Sequence, residues 1–168
     1  MTRSSPLLLA FVLTGCAAPP PTPTFVVSTP FNQKEAADLL RPGPNTIKGN
    51  AFMRQQGGGV VTCAGSEVHL VPATAYARQR MVAIYGTTES GTNSRPVNLA
   101  PPPSDYAAHT RPTRCDSAGN FVFDKVADGE FFVTTVVAWR VAGRQQGGNM
   151  MARTVVRDGQ VASLVMAN

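Results

Sequence analysis

The chain has 168 residues, a formal net charge of +5, 15% charged residues and 7% aromatic residues, which fits a single domain. Its cations are dispersed: Arg41, Arg54, Arg95, Arg140 and Arg157 never form a run, a pattern of solvated surface charge that excludes a nucleic-acid footprint. The one long apolar run, Leu7 to Leu13, covers seven residues, too few for a membrane-crossing helix, which takes about 20.

In chain order, the first stretch is MTRSSPLLLAFVLTGC. One cation, Arg3, precedes the apolar run, and a small residue, Gly15, precedes Cys16, the layout of a secretory signal. Leu13-Thr14-Gly15-Cys16 resembles the lipobox of bacterial lipoproteins. The resemblance implies cleavage before Cys16, a diacylglyceryl group on its thiol and a further acyl chain, such as palmitate, on the new amine. Two or more acyl chains anchor stably where one holds only marginally. Residues 1–15 are therefore expected to be a signal peptide and Cys16 the lipid attachment, with the membrane a partner through that lipid. The implied location is the cell envelope. In Gram-negative members of that family Ala17, rather than Asp, implies sorting to the outer membrane.

Residues 16–31 carry Pro19, Pro20, Pro21, Pro23 and Pro30 and read as a Pro-rich tether, because dense proline favours extended backbone poor in hydrogen bonds. Residues 32–44 read as a short helix and linker: Asn32 is placed to cap, Glu35 follows as in a capping box, and RPGP stops it. From Thr46 the pattern turns to period two, with Ile47, Gly49, Ala51 and Met53 on one face. RQQGGG then reads as a loop, SEVHLVP as a strand with Val68 and Leu70 inward and Glu67 and His69 outward, and Arg80 to Gly86 as a further apolar strand.

Residues 86–112 break this rhythm, with one short edge strand expected around Val97 to Leu99. A loop of that length in a small domain is usually functional or mobile. It holds Tyr106, His109, Arg95 and Arg111, the candidate contacts for a ligand or partner.

The stretch RCDSAGNFVFDKVADGEFFV, residues 114–133, follows. An EF-hand calcium loop counted from Asp116 would need an oxygen ligand at position three and glycine at six; Ala118 and Phe121 stand there instead. Asp116 and Gly119 match the first and fourth positions of a type I turn, which sends Phe121 and Phe123 to the core. After a second turn, Ala127 to Glu130, the next strand points Phe131, Val133, Thr135, Val137 and Trp139 inward. Phe132, Val136 and Ala138 make its other face apolar too, so this strand should be central and covered on both sides. NMMARTVVRDG and QVASLVM complete the set, turning at Asp158-Gly159. RQQGG occurs twice, at Arg54 to Gly58 and Arg144 to Gly148, and reads as repeated loop chemistry.

With Cys16 used by the lipobox, Cys63 and Cys115 remain as a pair in an oxidising compartment. They are expected to form a disulfide, worth roughly 4 kcal/mol in the chain-entropy model. Metal ligation with His69 and His109 would need a close spacing such as CxxC or HxxxH, which the chain lacks, so neither metal nor cofactor is expected.

These signals describe an all-β fold: a single seven- or eight-stranded antiparallel β-sandwich preceded by a short helix. D-x-x-G-x-F-x-F-x-x-V-x-x-G-x-F from Asp116 to Phe131, I-x-G at Ile47 to Gly49 and A-G-x-x-V-x-L-x-P at Ala64 to Pro72 resemble the carboxypeptidase regulatory-like family. The resemblance covers residues 45–168 and implies a transthyretin-like sandwich, similar to the B-type repeats of bacterial surface proteins. Residues 86–112 lie outside its core motif. With no G-x-S-x-G, HExxH or phosphate loop and no paired carboxylates, the chain does not read as an enzyme. It reads as a membrane-anchored lipoprotein whose sandwich is a non-catalytic interaction or structural module, contacting an envelope protein or wall polymer. The alternative is a carbohydrate-binding module using the 86–112 loop, with Tyr106 preferred to the inward-facing Trp139 as its aromatic platform. Cys16→Ala is expected to move the protein from the membrane to the soluble fraction on cell fractionation; retention in the membrane would overturn the lipid anchor.

Overall fold

The computed structural model describes residues 24–168; the expected signal peptide, Cys16 and residues 17–23 of the tether lie outside the described residues. From Thr24 to Phe31 the chain lies against the domain. The Phe25 N–H donates to the Asn98 carbonyl and the Ala100 N–H to the Phe25 carbonyl, both at 2.8 Å, and the Gln79 side chain donates to the Thr29 hydroxyl at 2.6 Å. Helix α1 (Gln33–Leu39) begins where its cap signal stands: the Asn32 side chain accepts the Glu35 N–H at 3.2 Å.

Among the described residues nine strands form two sheets. In the first, β1 (Pro42–Arg54) pairs antiparallel with β2 (Val60–Thr62) and β6 (Asn120–Val126) and parallel with β9 (Val161–Met166). The second runs in the order β4 (Ser90–Asn93), β8 (Arg144–Val156), β7 (Gly129–Val141), β3 (Glu67–Pro72), β5 (Arg111–Arg114). The architecture is the expected β-sandwich, with one parallel pair where β8 turns through Asp158-Gly159 and crosses to the first sheet. Period two sets what each strand buries: Ile47, Ala51 and Met53 from β1, Phe121 and Phe123 from β6, and Phe131, Val133 and Val137 from β7 meet between the sheets. Each of these side chains larger than alanine contributes about 1.5–3 kcal/mol on burial. The Asp116 turn is also as expected. Its carboxylate accepts the Ala118 and Asn120 N–H groups at 2.9 and 2.8 Å, and the Asn120 bond is the largest cause holding its pKa below the ordinary value.

One expected strand is a helix. Arg80 to Gly86 is the second half of α2 (Ala75–Tyr85), with Thr74 accepting the Ala77 N–H at 3.2 Å as N-cap and Gly86, φ 75°, as left-handed C-cap. The apolar run is too short for its period to decide between strand and helix, and the flanking caps decide it. Ala77 and Met81 pack on Val71, Phe132 and Met151, so α2 covers the outer face of the second sheet at Phe132, where β7 is buried on both sides; Val136 and Ala138, expected to be covered as well, lie beyond this layer and are exposed. The expected edge strand near Val97 to Leu99 reduces to a single parallel bridge between Leu99 and Phe25; the strand in this region is β4.

Three devices tie the layers together. Cys63, after β2, is bonded to Cys115, after β5, with 5.8 Å between their Cα atoms. Both residues sit where the chain passes from one sheet to the other, so the disulfide staples two crossings side by side. Asn45, fully buried, donates to the Val126 carbonyl at 2.9 Å and the Asp128 carboxylate at 2.8 Å and accepts the Gln160 N–H at 2.9 Å. Losing such a partner inside the protein costs about 1–3 kcal/mol per orphaned group. Glu130 on β7 pairs with Arg78 of α2 at 2.7 Å and with Arg153 of β8 at 3.1 Å, and Arg153 also reaches Glu89 at 2.9 Å.

The Arg78 hydrogen bond, more than any other contact, holds the Glu130 carboxyl below its ordinary value of 4.5. A carboxylate with a depressed folded-state pKa stabilises the fold above its unfolded value, and that contribution disappears as pH falls through the folded value. Glu130→Gln is therefore expected to cost about 1 kcal/mol at pH 7, after allowing for solvent screening. Urea denaturation should show this gap closing as pH drops below the ordinary carboxylate range; a gap independent of pH would count against the network.

Candidate functional site

β7 and β8 form a long hairpin, in register from Gly129 opposite Val156 to Val141 opposite Arg144. Ala142 and Gly143, both left-handed with φ of 48° and 79°, make the two-residue turn, as a type I′ hairpin requires. The last rungs set Trp139 opposite Gln146 and Arg140 opposite Gln145. The second RQQGG is thus the beginning of a strand rather than a loop. The first is a loop: the Gln55 N–H donates to the Gly59 carbonyl at 2.7 Å and the Gly58 N–H to the Gln55 carbonyl at 2.9 Å, with Gly58 left-handed at φ 86°.

The two copies meet. Arg54 to Gly57 and Arg144 to Gly147 line one groove of about 940 Å³, together with Trp139, Ser94 and Asn168. Asn168 closes one side, its side chain accepting the Arg54 N–H at 2.7 Å. Trp139 packs against the core on one side and borders the groove on the other, so its inward direction, as expected, leaves part of the indole accessible. Gly147, φ 93°, has no room for a Cβ, which would lie 2.1 Å from the Val137 carbonyl oxygen and 3.0 Å from Trp139 Cζ3. The backbone therefore seats the indole directly.

Among the described residues the side chains of Arg54, Gln56, Arg144, Gln145 and Gln146 make no hydrogen bond or ion pair with the protein. Each primary amide offers two donors and an acceptor, and the indole offers an apolar face and an N–H. Such a set can hold an uncharged polyhydroxylated molecule by its hydroxyls and its C–H faces.

The four loop residues singled out from the sequence divide among three places. Tyr106 and His109 come together around Phe31, whose ring centroid lies 5.3 Å from Tyr106 and 5.5 Å from His109, while Tyr76 lies 5.1 Å from Tyr106. All these contacts are edge to face. The Arg80 guanidinium sits 5.6 Å from the Tyr106 ring, and burial pushes the Tyr106 phenol up to about 12. These rings cover one another and present no coplanar exposed pair. Of these rings Tyr106 borders an apolar cleft of about 290 Å³ against Met81, Ile84 and Tyr85. Arg111 is turned away to β6, donating to the Asp124 and Lys125 carbonyls at 2.8 and 3.2 Å. Arg95 is exposed and follows Ser94 at the groove.

His69 lies 3.6 Å from Glu67 at the surface. Among the described residues no three His, Cys, Asp or Glu side chains converge to hold a metal ion, and no helix is long and apolar enough to cross a membrane.

No family model and no curated protein matches this sequence. A crystal structure from Pseudomonas aeruginosa, of a "putative carbohydrate binding protein", superposes with a TM-score of 0.66 at 21% identity, over 82% of this chain and 97% of that one. The likeness shows a shared fold. That fold spans nearly all of the neighbour.

The chain has a single Trp, so its fluorescence reports on the groove. Gly147→Ala is expected to destabilise the protein by more than about 2 kcal/mol, from the left-handed backbone and the clash together, and to shift Trp139 emission. Gly58→Ala, where nothing lies within 4 Å of the new Cβ, should cost about 1–2 kcal/mol and leave the emission unchanged. Equal emission shifts in both variants would detach Gly147 from the indole.

Proposed function

We propose that the chain is a lipid-anchored, non-catalytic module of the cell envelope that binds carbohydrate in the groove between the two RQQGG segments. The observation that carries this reading is the partly accessible Trp139 flanked by the unspent amides of Gln56, Gln145 and Gln146. A sugar needs an apolar face for its C–H side and donors and acceptors for its hydroxyls, and this groove offers both. The fold neighbour's own description as a "putative carbohydrate binding protein" supports the same reading. Ser94 belongs to the 86–112 segment, so that segment contributes to the site through its first half, near β4, rather than through Tyr106. The anchor rests on the lipobox resemblance at Cys16, and the carboxypeptidase regulatory-like resemblance fits a non-catalytic role.

The full chain, screened against a glycan panel, is expected to bind oligosaccharides, and Trp139→Ala to weaken that binding at least about tenfold through loss of the aromatic contact. Tyr106→Leu, which keeps apolar bulk in its cluster, should leave binding unchanged. If Tyr106→Leu removes binding and Trp139→Ala does not, the site belongs to the second half of the 86–112 segment. If no glycan binds, the reading fails and an envelope protein becomes the partner to seek.

A further inference from the structure

The electrostatics of the groove carry the reading one step further. Its lining includes Arg54 and Arg144 and no Asp or Glu. Elsewhere on the domain five arginines are neutralised, Arg78 and Arg153 by Glu130, Arg111 by Asp124, Arg114 by Glu67 and Arg41 by Asp38, whereas Arg80 is spent on the Ala100 carbonyl and the Tyr106 ring and Arg157 is exposed. Arg54 and Arg144 have no carboxylate partner among the described residues. Two further cations without one adjoin lining residues, Arg95 next to Ser94 and Arg140 next to Trp139. Cations far apart in the chain, Arg54 and Arg144, are therefore brought by the fold to one groove.

A guanidinium presents a planar fork of donors that matches a carboxylate bidentately, and a charge-assisted bond of this kind is stronger than one between neutral groups. Cations on both walls of a groove also favour anions in the approach, more so at low salt. An uncharged sugar would use the amides and the indole and leave the charge of both guanidinia uncompensated. A sugar chain carrying carboxylates at intervals would use all of them.

We propose that the groove selects anionic polysaccharide, with carboxylates repeating along the chain as in a polyuronide, and that Arg54 and Arg144 determine this specificity. The proposal rests on the carbohydrate reading of the same groove, and its test separates the two.

The full chain is titrated with oligogalacturonate and with the same oligomer fully methyl-esterified, which removes the charge and keeps the sugar. Hyaluronan and neutral cello-oligosaccharide fragments extend the panel, and Trp139 fluorescence is the readout. The acid form is expected to bind at least about tenfold more tightly than its ester at low salt, with the ratio falling toward one as salt rises. The double variant Arg54→Gln with Arg144→Gln should bring acid binding down to the ester's level while binding of the ester persists; a thermal melt confirms that the variant is folded. Equal binding of acid and ester, or neutral oligomers bound and acidic ones refused, overturns the anionic selection and leaves the carbohydrate reading standing. An acid preference that survives the double substitution overturns the role of the two arginines. Absence of binding to every glycan, charged or neutral, overturns both readings together.

Discussion

β7 is the strand on which the rest of the protein is assembled, because it is the middle strand of the five-stranded sheet and feeds two apolar layers. Phe131, Val133 and Val137 enter the core between the sheets, Phe132 enters the layer beneath α2, and the backbone pairs with β3 on one edge and β8 on the other. A strand enclosed in this way cannot slip by one residue without exchanging Phe131 for Phe132 across two different apolar layers. Its register fixes that of β8 along thirteen paired positions. That register in turn decides which residues arrive at the hairpin's end. The groove is a consequence of core packing at the far end of the same strand.

Charge follows the same logic. At the start of β7, Glu130 gathers Arg78 and Arg153, joining α2 to the sheet with a carboxylate between two guanidinia. At its other end stand Arg54 and Arg144. One strand thus has a neutralised end, where rigidity is built, and an uncompensated end, where the guanidinia of Arg54 and Arg144 have no carboxylate partner among the described residues.

Much of the fold was legible because its determinants are local. Asp116 and Gly119 specify a turn within four residues, Phe121 and Phe123 alternate cleanly, and the two cysteines left after Cys16 have only each other. Helix α2 was misread although its signals, Thr74 and Gly86, are both in the chain; the apolar letters between them suit either period. The groove was legible only as an unexplained repetition. RQQGG serves once as a tight loop and once as the first rungs of a strand, and local patterning carries no information that Arg54 and Arg144 become neighbours around one cavity. Tyr106 drew attention as a loop aromatic, but its ring is spent on packing with Phe31 and Tyr76. Trp139 was read correctly as inward, yet an indole is wide enough to fill the core with one edge and border a groove with another.

The docking of Thr24 to Phe31 has a mechanical consequence. A pull on the N-terminal side of the domain does not reach β1 first. It meets the two backbone hydrogen bonds between Phe25 and the Asn98 to Ala100 segment, then the Gln79 contacts with Ser28 and Thr29. Beyond these stands β1, held along its length by β6 on one side and by the parallel β9 on the other, so that tension along the strand shears a whole ladder instead of opening it bond by bond. The sandwich is thus preceded by a shallow set of contacts that yields at low load and lengthens the chain ahead of the domain, while the strands that shape the groove bear load only after that slack is spent.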